Sequence, residues 1–138
     1  MSIVSRTSLD LGSLRALYAQ GESPARTLKA VLERIDAYPG KGIWIHRLTI
    51  DQVMDQLAQA EKRRRAGTPQ PLLGVPFAVK DNIDVAGIPT TAACPRFSYV
   101  PAKSATVVER LCAAGHPSTP SRGIATSSCT PAGGRRSS

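Results

Sequence analysis

Gly74-Val75-Pro76-Phe77-Ala78-Val79-Lys80-Asp81-Asn82-Ile83-Asp84 decides how this chain is read. Phe77-Ala78-Val79 is an apolar run of strand length, the pattern of a strand covered on both faces in an α/β sheet. It ends in a polar cluster at its carboxyl end, where α/β folds place ligand chemistry. Lys80 stands first in that cluster. An ammonium taken out of water without a partner is costly. Desolvation favours the neutral amine, which can accept a proton as a base. The plainer alternative is a strand-end lysine that reaches water and pairs with Asp81 or Asp84.

Upstream, the apolar spacing is helical. Leu11, Leu14, Leu17 and Tyr18 give a short amphipathic helix within Ser8 to Gln20, stopped by Gly21. Ser23-Pro24 sets a cap and a first-turn proline before a second helix, whose face is Leu28, Val31, Leu32 and Ile35. Ile43 to Leu48 is β-branched and aromatic, hence extended. Thr49, with Gln52 three residues on, has the form of a capping box for a third helix running to about Ala66. Gly67 to Pro71 and Gly87 to Pro101 read as loops. Ser104 is the expected cap of a last helix carrying Val107, Val108, Leu111 and Cys112 and ending near Gly115.

The composition excludes several classes. The chain has 138 residues, which suits one domain of ordinary size. Its apolar runs are interrupted far short of the roughly 18 residues a membrane span needs, so no membrane association is expected. Met1 to Asp10 lacks the apolar stretch of a secretory signal. Cys94, Cys112 and Cys129 are an odd count with no metal-ligand spacing, which reads as reduced thiols in a cytoplasmic protein without a metal or other cofactor. The net charge is +8. Its one dense basic run, Lys62-Arg63-Arg64-Arg65, falls at a helix C-terminus, where cations complement the helix dipole. Without interleaved aromatics or a reading motif, the run argues for a solvated helix end over a nucleic-acid site.

The Gly74–Asp84 stretch, together with Thr90-Thr91-Ala92-Ala93-Cys94 and Ser104-Ala105-Thr106-Val107-Val108-Glu109-Arg110-Leu111, resembles the amidase signature hydrolases. Trp44-Ile45-His46-Arg47-Leu48 and Val79 to Gly87 look most like the allophanate hydrolase branch. The resemblance covers about Leu9 to Gly115. It implies an α/β fold of which this chain is an N-terminal portion, with helices followed by the first strands of a mixed sheet. It also implies amide C–N hydrolysis by a triad of Lys, cis-Ser and Ser, in which the matching lysine is Lys80. The implied substrate is a small amide such as allophanate, released as ammonia and carbon dioxide, in an enzyme that forms homo-oligomers. Another branch, the amidase component of a tRNA-dependent amidotransferase, shares the Lys80 motif. A small basic binding module is the non-enzymatic alternative.

The sequence also departs from that pattern. The Gly- and Ser-rich stretch that supplies both serines has no counterpart here. Ser127-Ser128 lacks its glycine setting, and geometry rather than residue type makes a triad. On this reading residues 1–115 are a partial amidase domain without its nucleophile. His116 to Ser138 has no Asp, Glu or aromatic residue and no periodicity, so it is expected to be a disordered tail. Arg122, Arg135 and Arg136 lie in it, so three of the eight net positive charges belong to the tail. Codons allowed for Gly123 to Ser128 can spell Asn-Arg-Asp-Gln-Phe in a shifted frame, close to a segment the resemblance implies at that point. A frameshift near Gly115 is therefore expected in the gene.

Overall fold

Among the described residues, the first three α-helices start where a side chain or a proline can close the first turn. In the computed structural model, which describes residues 8–38, 43–116 and the backbone of 118–123, α1 spans Leu11–Ala19 and α2 spans Pro24–Ala37. Asp10 caps α1: its carboxylate accepts from the Ser13 N–H at 2.9 Å and from the Ser13 hydroxyl at 2.6 Å. These bonds, the Ser13 hydroxyl's first, hold the Asp10 carboxyl well below the usual range. Ser23 is the N-cap of α2 but makes no side-chain cap bond; the proline at the first position suffices to set the turn. The third helix, α3 (Ile50–Arg65), has the expected box in full. The Thr49 hydroxyl accepts from Gln52 N–H, and the Gln52 side chain accepts from Thr49 N–H at 2.9 Å. The last helix is α4 (Thr106–Ala113).

Among the described residues three strands make a mixed sheet: β1 (Trp44–His46), β2 (Phe77–Lys80) and β3 (Ser118–Gly123), in the order β1-β3-β2. β3 runs antiparallel to β1 and parallel to β2, with Val79 opposite Arg122 and Lys80 opposite Gly123. The parallel pair needs a crossover, and the segment from Asp81 through α4 supplies it. This strand corrects the expectation that no regular structure follows Gly115. His116, the first residue of the expected tail, packs against the domain. It is buried at 7% exposure, and its ring stands edge-on to Phe77 with centroids 5.0 Å apart. Its Nδ1 meets the Val75 carbonyl. Residues 124–138, including Ser127, Ser128 and Cys129, lie outside the described residues.

The core has two parts. Leu28 and Leu32 of α2 pack with Val53 and Leu57 of α3, Leu48 and Leu73. Burying each such side chain stabilises by about 1.5–3 kcal/mol, so α2 and α3 hold each other as neither could alone. Val79, Val85 and Val108 form the second part, under β2 and α4. Ile88 touches both.

Two loops are fixed by close contacts. Tyr18 donates to the Gly74 carbonyl at 2.6 Å, and burial pushes its phenol up. Gly74 has φ +77°, and a Cβ there would lie 2.6 Å from the Pro24 Cβ, so only glycine fits. The C-terminus of α4 is closed by three neighbours. Arg63 donates to the Cys112 carbonyl at 3.2 Å, Gln70 to that of Ala113 at 3.0 Å, and Leu72 N–H to that of Ala114 at 2.9 Å. A helix leaves these carbonyls orphaned, and here each finds a donor.

Candidate functional site

Strand β2 delivers Lys80 to the head of the crossover. Its alternation sends Val79 into the core, at 4% exposure, while Ala78 and Lys80 are exposed on the other face. The expectation of a strand covered on both faces is therefore corrected: within the described residues one face is open. Lys80 presents its side chain at the carboxyl end of the strand, on the uncovered side.

The next residue is the organiser of the site. Asp81 is 3% exposed. Its carboxylate accepts from Thr91 N–H at 3.3 Å, from the Thr91 hydroxyl, and from Ala93 N–H at 3.1 Å. Its carbonyl accepts from Ala92 N–H at 3.2 Å. Three successive residues of the 88–101 loop are thus wrapped around one acid. The wrapping requires left-handed backbone at two alanines, Ala92 at φ 49° and Ala93 at φ 60°. That region costs an L-residue about 1–2 kcal/mol each, and the charged acceptor bonds offset it.

Asp84 ties the other side of the same loop. One of its carboxylate oxygens accepts from the Thr90 hydroxyl at 2.9 Å and from the Tyr99 hydroxyl at 2.6 Å. Its carbonyl accepts from Ala105 N–H at 2.9 Å, which holds the start of α4. Ser104, expected to cap α4, instead accepts from Ala86 N–H at 2.9 Å, and Ala105 is the N-cap. Both acids near Lys80 thus serve the loop. The sequence pattern suggests them only as partners for the lysine and does not disclose this role. The signal for it is a buried acid followed by paired threonines at Thr90 and Thr91.

The clefts described lie elsewhere. One of about 490 Å³ sits between the end of α2 and β1, against Trp44, Asp36 and Arg47. Another, of about 360 Å³, lies between α3 and the 85–88 turn. Neither is lined by Lys80. The basic run divides its tasks: Arg63 is tied to α4, while Lys62, Arg64 and Arg65 are exposed. Among the described residues no group of His, Cys, Asp and Glu could hold a metal ion. No helix there is long and apolar enough to cross a membrane.

The amidase family model matches residues 26–119. The chain belongs to the amidase family. It is 42% identical over 97 residues to the urea amidolyase of Saccharomyces cerevisiae, a match that spans 70% of this chain and 5% of that protein. It is 39% identical over 112 residues to a glutamyl-tRNA(Gln) amidotransferase polypeptide of Salinispora arenicola, spanning 79% of this chain and 23% of that one. The structure of the allophanate hydrolase of Kluyveromyces lactis superposes with a TM-score of 0.58 at 33% identity, over 72% of this chain and 16% of that one. The chain thus spans a quarter or less of these amidase relatives. The matched segment contains both the Lys80–Asp81 turn and the loop it holds. The α/β reading of an N-terminal portion of the amidase fold, helices first and then a mixed sheet, agrees with these neighbours.

Proposed function

We propose that this chain is the lysine-bearing N-terminal part of an amide C–N hydrolase domain, with Lys80 as its catalytic proton acceptor. The observation that carries the reading is the position of Lys80. It ends β2 on the open face and is followed at once by the Asp81-locked turn, all within the family match. In the full reaction a serine hydroxyl attacks the amide carbon. Its proton passes through a second serine to the Lys80 amine and then to the leaving nitrogen as the C–N bond breaks. Water cleaves the acyl-serine by the same route in reverse. The serines and the oxyanion donors come from sequence outside the 26–119 match, so Lys80 acts only once that part covers it.

Allophanate is the proposed substrate, supported by the likeness to urea amidolyase and allophanate hydrolase. Glutamine is the second candidate, supported by the longer match to the amidotransferase polypeptide, over 112 residues. The parent enzyme's activity on the two amides discriminates them. We further propose that residues 1–115 are a partial domain and that the reading frame changes near Gly115; the gene's nucleotide sequence tests this, and no family-like codons in another frame beyond Gly115 would sink it. A cytoplasmic location and a homo-oligomeric parent belong to the same proposal. The 138-residue chain by itself is expected to release no ammonia from allophanate beyond a Lys80→Ala control. Release above that control refutes the need for serines from elsewhere.

A further inference from the structure

Lys80 and two acids, Asp81 and Asp84, lie within five residues of chain. The turn between Lys80 and Asp84 is closed: Ile83 N–H donates to the Lys80 carbonyl at 3.0 Å. Such a turn brings its ends within about 7 Å, a distance that the flexible lysine stem can cross. The Asp84 carboxylate is therefore a ready partner for the Lys80 ammonium. That pairing favours the charged amine and works against a base, which must be without its proton to act. Asp81 is committed by burial, at 3% exposure with the Thr91 and Ala93 donors around it. Asp84 is only half-buried. What holds its carboxylate therefore matters to the lysine.

Two hydroxyls hold it, from opposite ends of the loop. Thr90 and Tyr99 are partners in an antiparallel bridge. Thr90 N–H donates to the Tyr99 carbonyl at 2.8 Å, and Tyr99 N–H to the Thr90 carbonyl at 3.1 Å. Both side chains donate to the same Asp84 oxygen, at 2.9 Å and 2.6 Å. Thr90 is 1% exposed, so its bond is shielded from water. The Tyr99 bond has the length of a charge-assisted hydroxyl–carboxylate bond. The backbone bridge already closes the loop. What the paired hydroxyls add is a fixed direction for the carboxylate, toward the loop.

We propose that Thr90 and Tyr99 are positioning residues for the Lys80 reaction: their hydroxyls keep the Asp84 carboxylate on the loop and leave the Lys80 amine to take a proton. The proposal rests on the functional reading above and adds what keeps the base usable. The other charged and titratable groups of the elements around Lys80 are Cys94 and Arg96 on the loop and Arg122 on β3, opposite Val79. Helix α4, with Glu109 and Arg110, lies under the Val79 face.

The test acetylates the full 138-residue chain with trace acetic anhydride and follows Lys80 by mass spectrometry from about pH 7 to 11, across the ordinary lysine range. Thr90→Val with Tyr99→Phe is expected to raise the midpoint of Lys80 labelling by about half a pH unit, the size of an exposed ion pair. Adding Asp84→Asn is expected to restore the original midpoint. An unchanged midpoint in the double variant overturns the proposal. A rise that survives Asp84→Asn assigns the effect to the loop rather than to the released acid, and also overturns it. Tyr99→Phe alone keeps the test decisive if the Thr90 variant fails to fold: a smaller rise in the same direction is expected, and none overturns the proposal. In the K. lactis allophanate hydrolase carrying residues 26–116 of this chain in place of its matched segment, the double variant is expected to move the acid limb of kcat/KM on allophanate up by about one pH unit, a tenfold loss at a fixed pH on that limb. An equal loss at every pH, with the limb unmoved, is the mark of hydroxyls that only stiffen the loop and overturns positioning. A Lys80→Ala chimaera as fast as its parent defeats the functional reading instead, and the labelling result still decides whether the hydroxyls hold Asp84 off the amine.

Discussion

Replacing Asp81 by alanine removes the acceptor around which the Thr91–Ala93 segment is wound. Three donors lose a charged partner: Thr91 N–H, the Thr91 hydroxyl and Ala93 N–H. Hydrogen bonds to a charged group contribute about 1.5–3 kcal/mol each. Ala92 and Ala93 are exposed and Thr91 half-buried, so water takes over part of that role. A gross loss of about 4–5 kcal/mol is therefore reasonable. Ala92 and Ala93 can then leave the left-handed region, which returns about 1–2 kcal/mol each, or about 2–4 kcal/mol together. The net destabilisation, taken between mid-range values, is about 1–2 kcal/mol. Urea unfolding followed by Trp44 fluorescence measures it, and amide exchange at Thr91 and Ala93 localises it. The expected result is a lower midpoint with strongly accelerated exchange at those two amides. A change below about 0.5 kcal/mol, the size of an ordinary surface substitution, with exchange unaltered, would refute the claim that Asp81 holds the loop.

Ala93→Gly should act in the opposite direction. At φ 60° glycine removes the left-handed strain but adds unfolded-state entropy, for a net gain of up to about 1 kcal/mol; a lower Tm would contradict it. Gly74→Ala combines φ +77° with a Cβ 2.6 Å from that of Pro24, and should cost about 2–4 kcal/mol by chemical denaturation. His116 is held below its ordinary 6.5 by burial, with the Val75 bond opposing. Its depressed folded value means that its stability contribution is complete above about pH 6.5 and is lost as pH falls through the folded value. Tm measured from pH 8 to 5 should fall at the acid end, and His116→Phe should flatten that limb.

What was legible in the sequence was local. Thr49 and Gln52 announce their capping box because both partners lie within one turn. Leu28, Val31 and Leu32 announce a buried face because helix period alone aligns them. The readings that failed depend on distant partners. Ser104 has the chemistry of a cap, but Ala86, 18 residues earlier in the chain, takes its hydroxyl. Phe77-Ala78-Val79 looks covered on both sides, yet only Val79 and the half-buried Phe77 meet the core. His116 sits in a stretch without period, and its burial comes from Val75 and Phe77, some 40 residues away. Lys80 is legible through motif resemblance. Its neighbour Asp81, which shapes the turn, becomes visible only once the loop's backbone is traced around it.

The central claim is that Lys80 is the proton acceptor of an amide hydrolase whose other parts lie beyond the matched segment. The most direct measurement is ammonia release from allophanate by the K. lactis enzyme carrying residues 26–116 of this chain in place of its matched segment. The account predicts activity in that chimaera, a fall of at least about a thousandfold in kcat for Lys80→Ala, as when a member of a catalytic unit is removed, and no change in Tm. A Lys80→Ala chimaera that turns over allophanate as fast as its parent would contradict it.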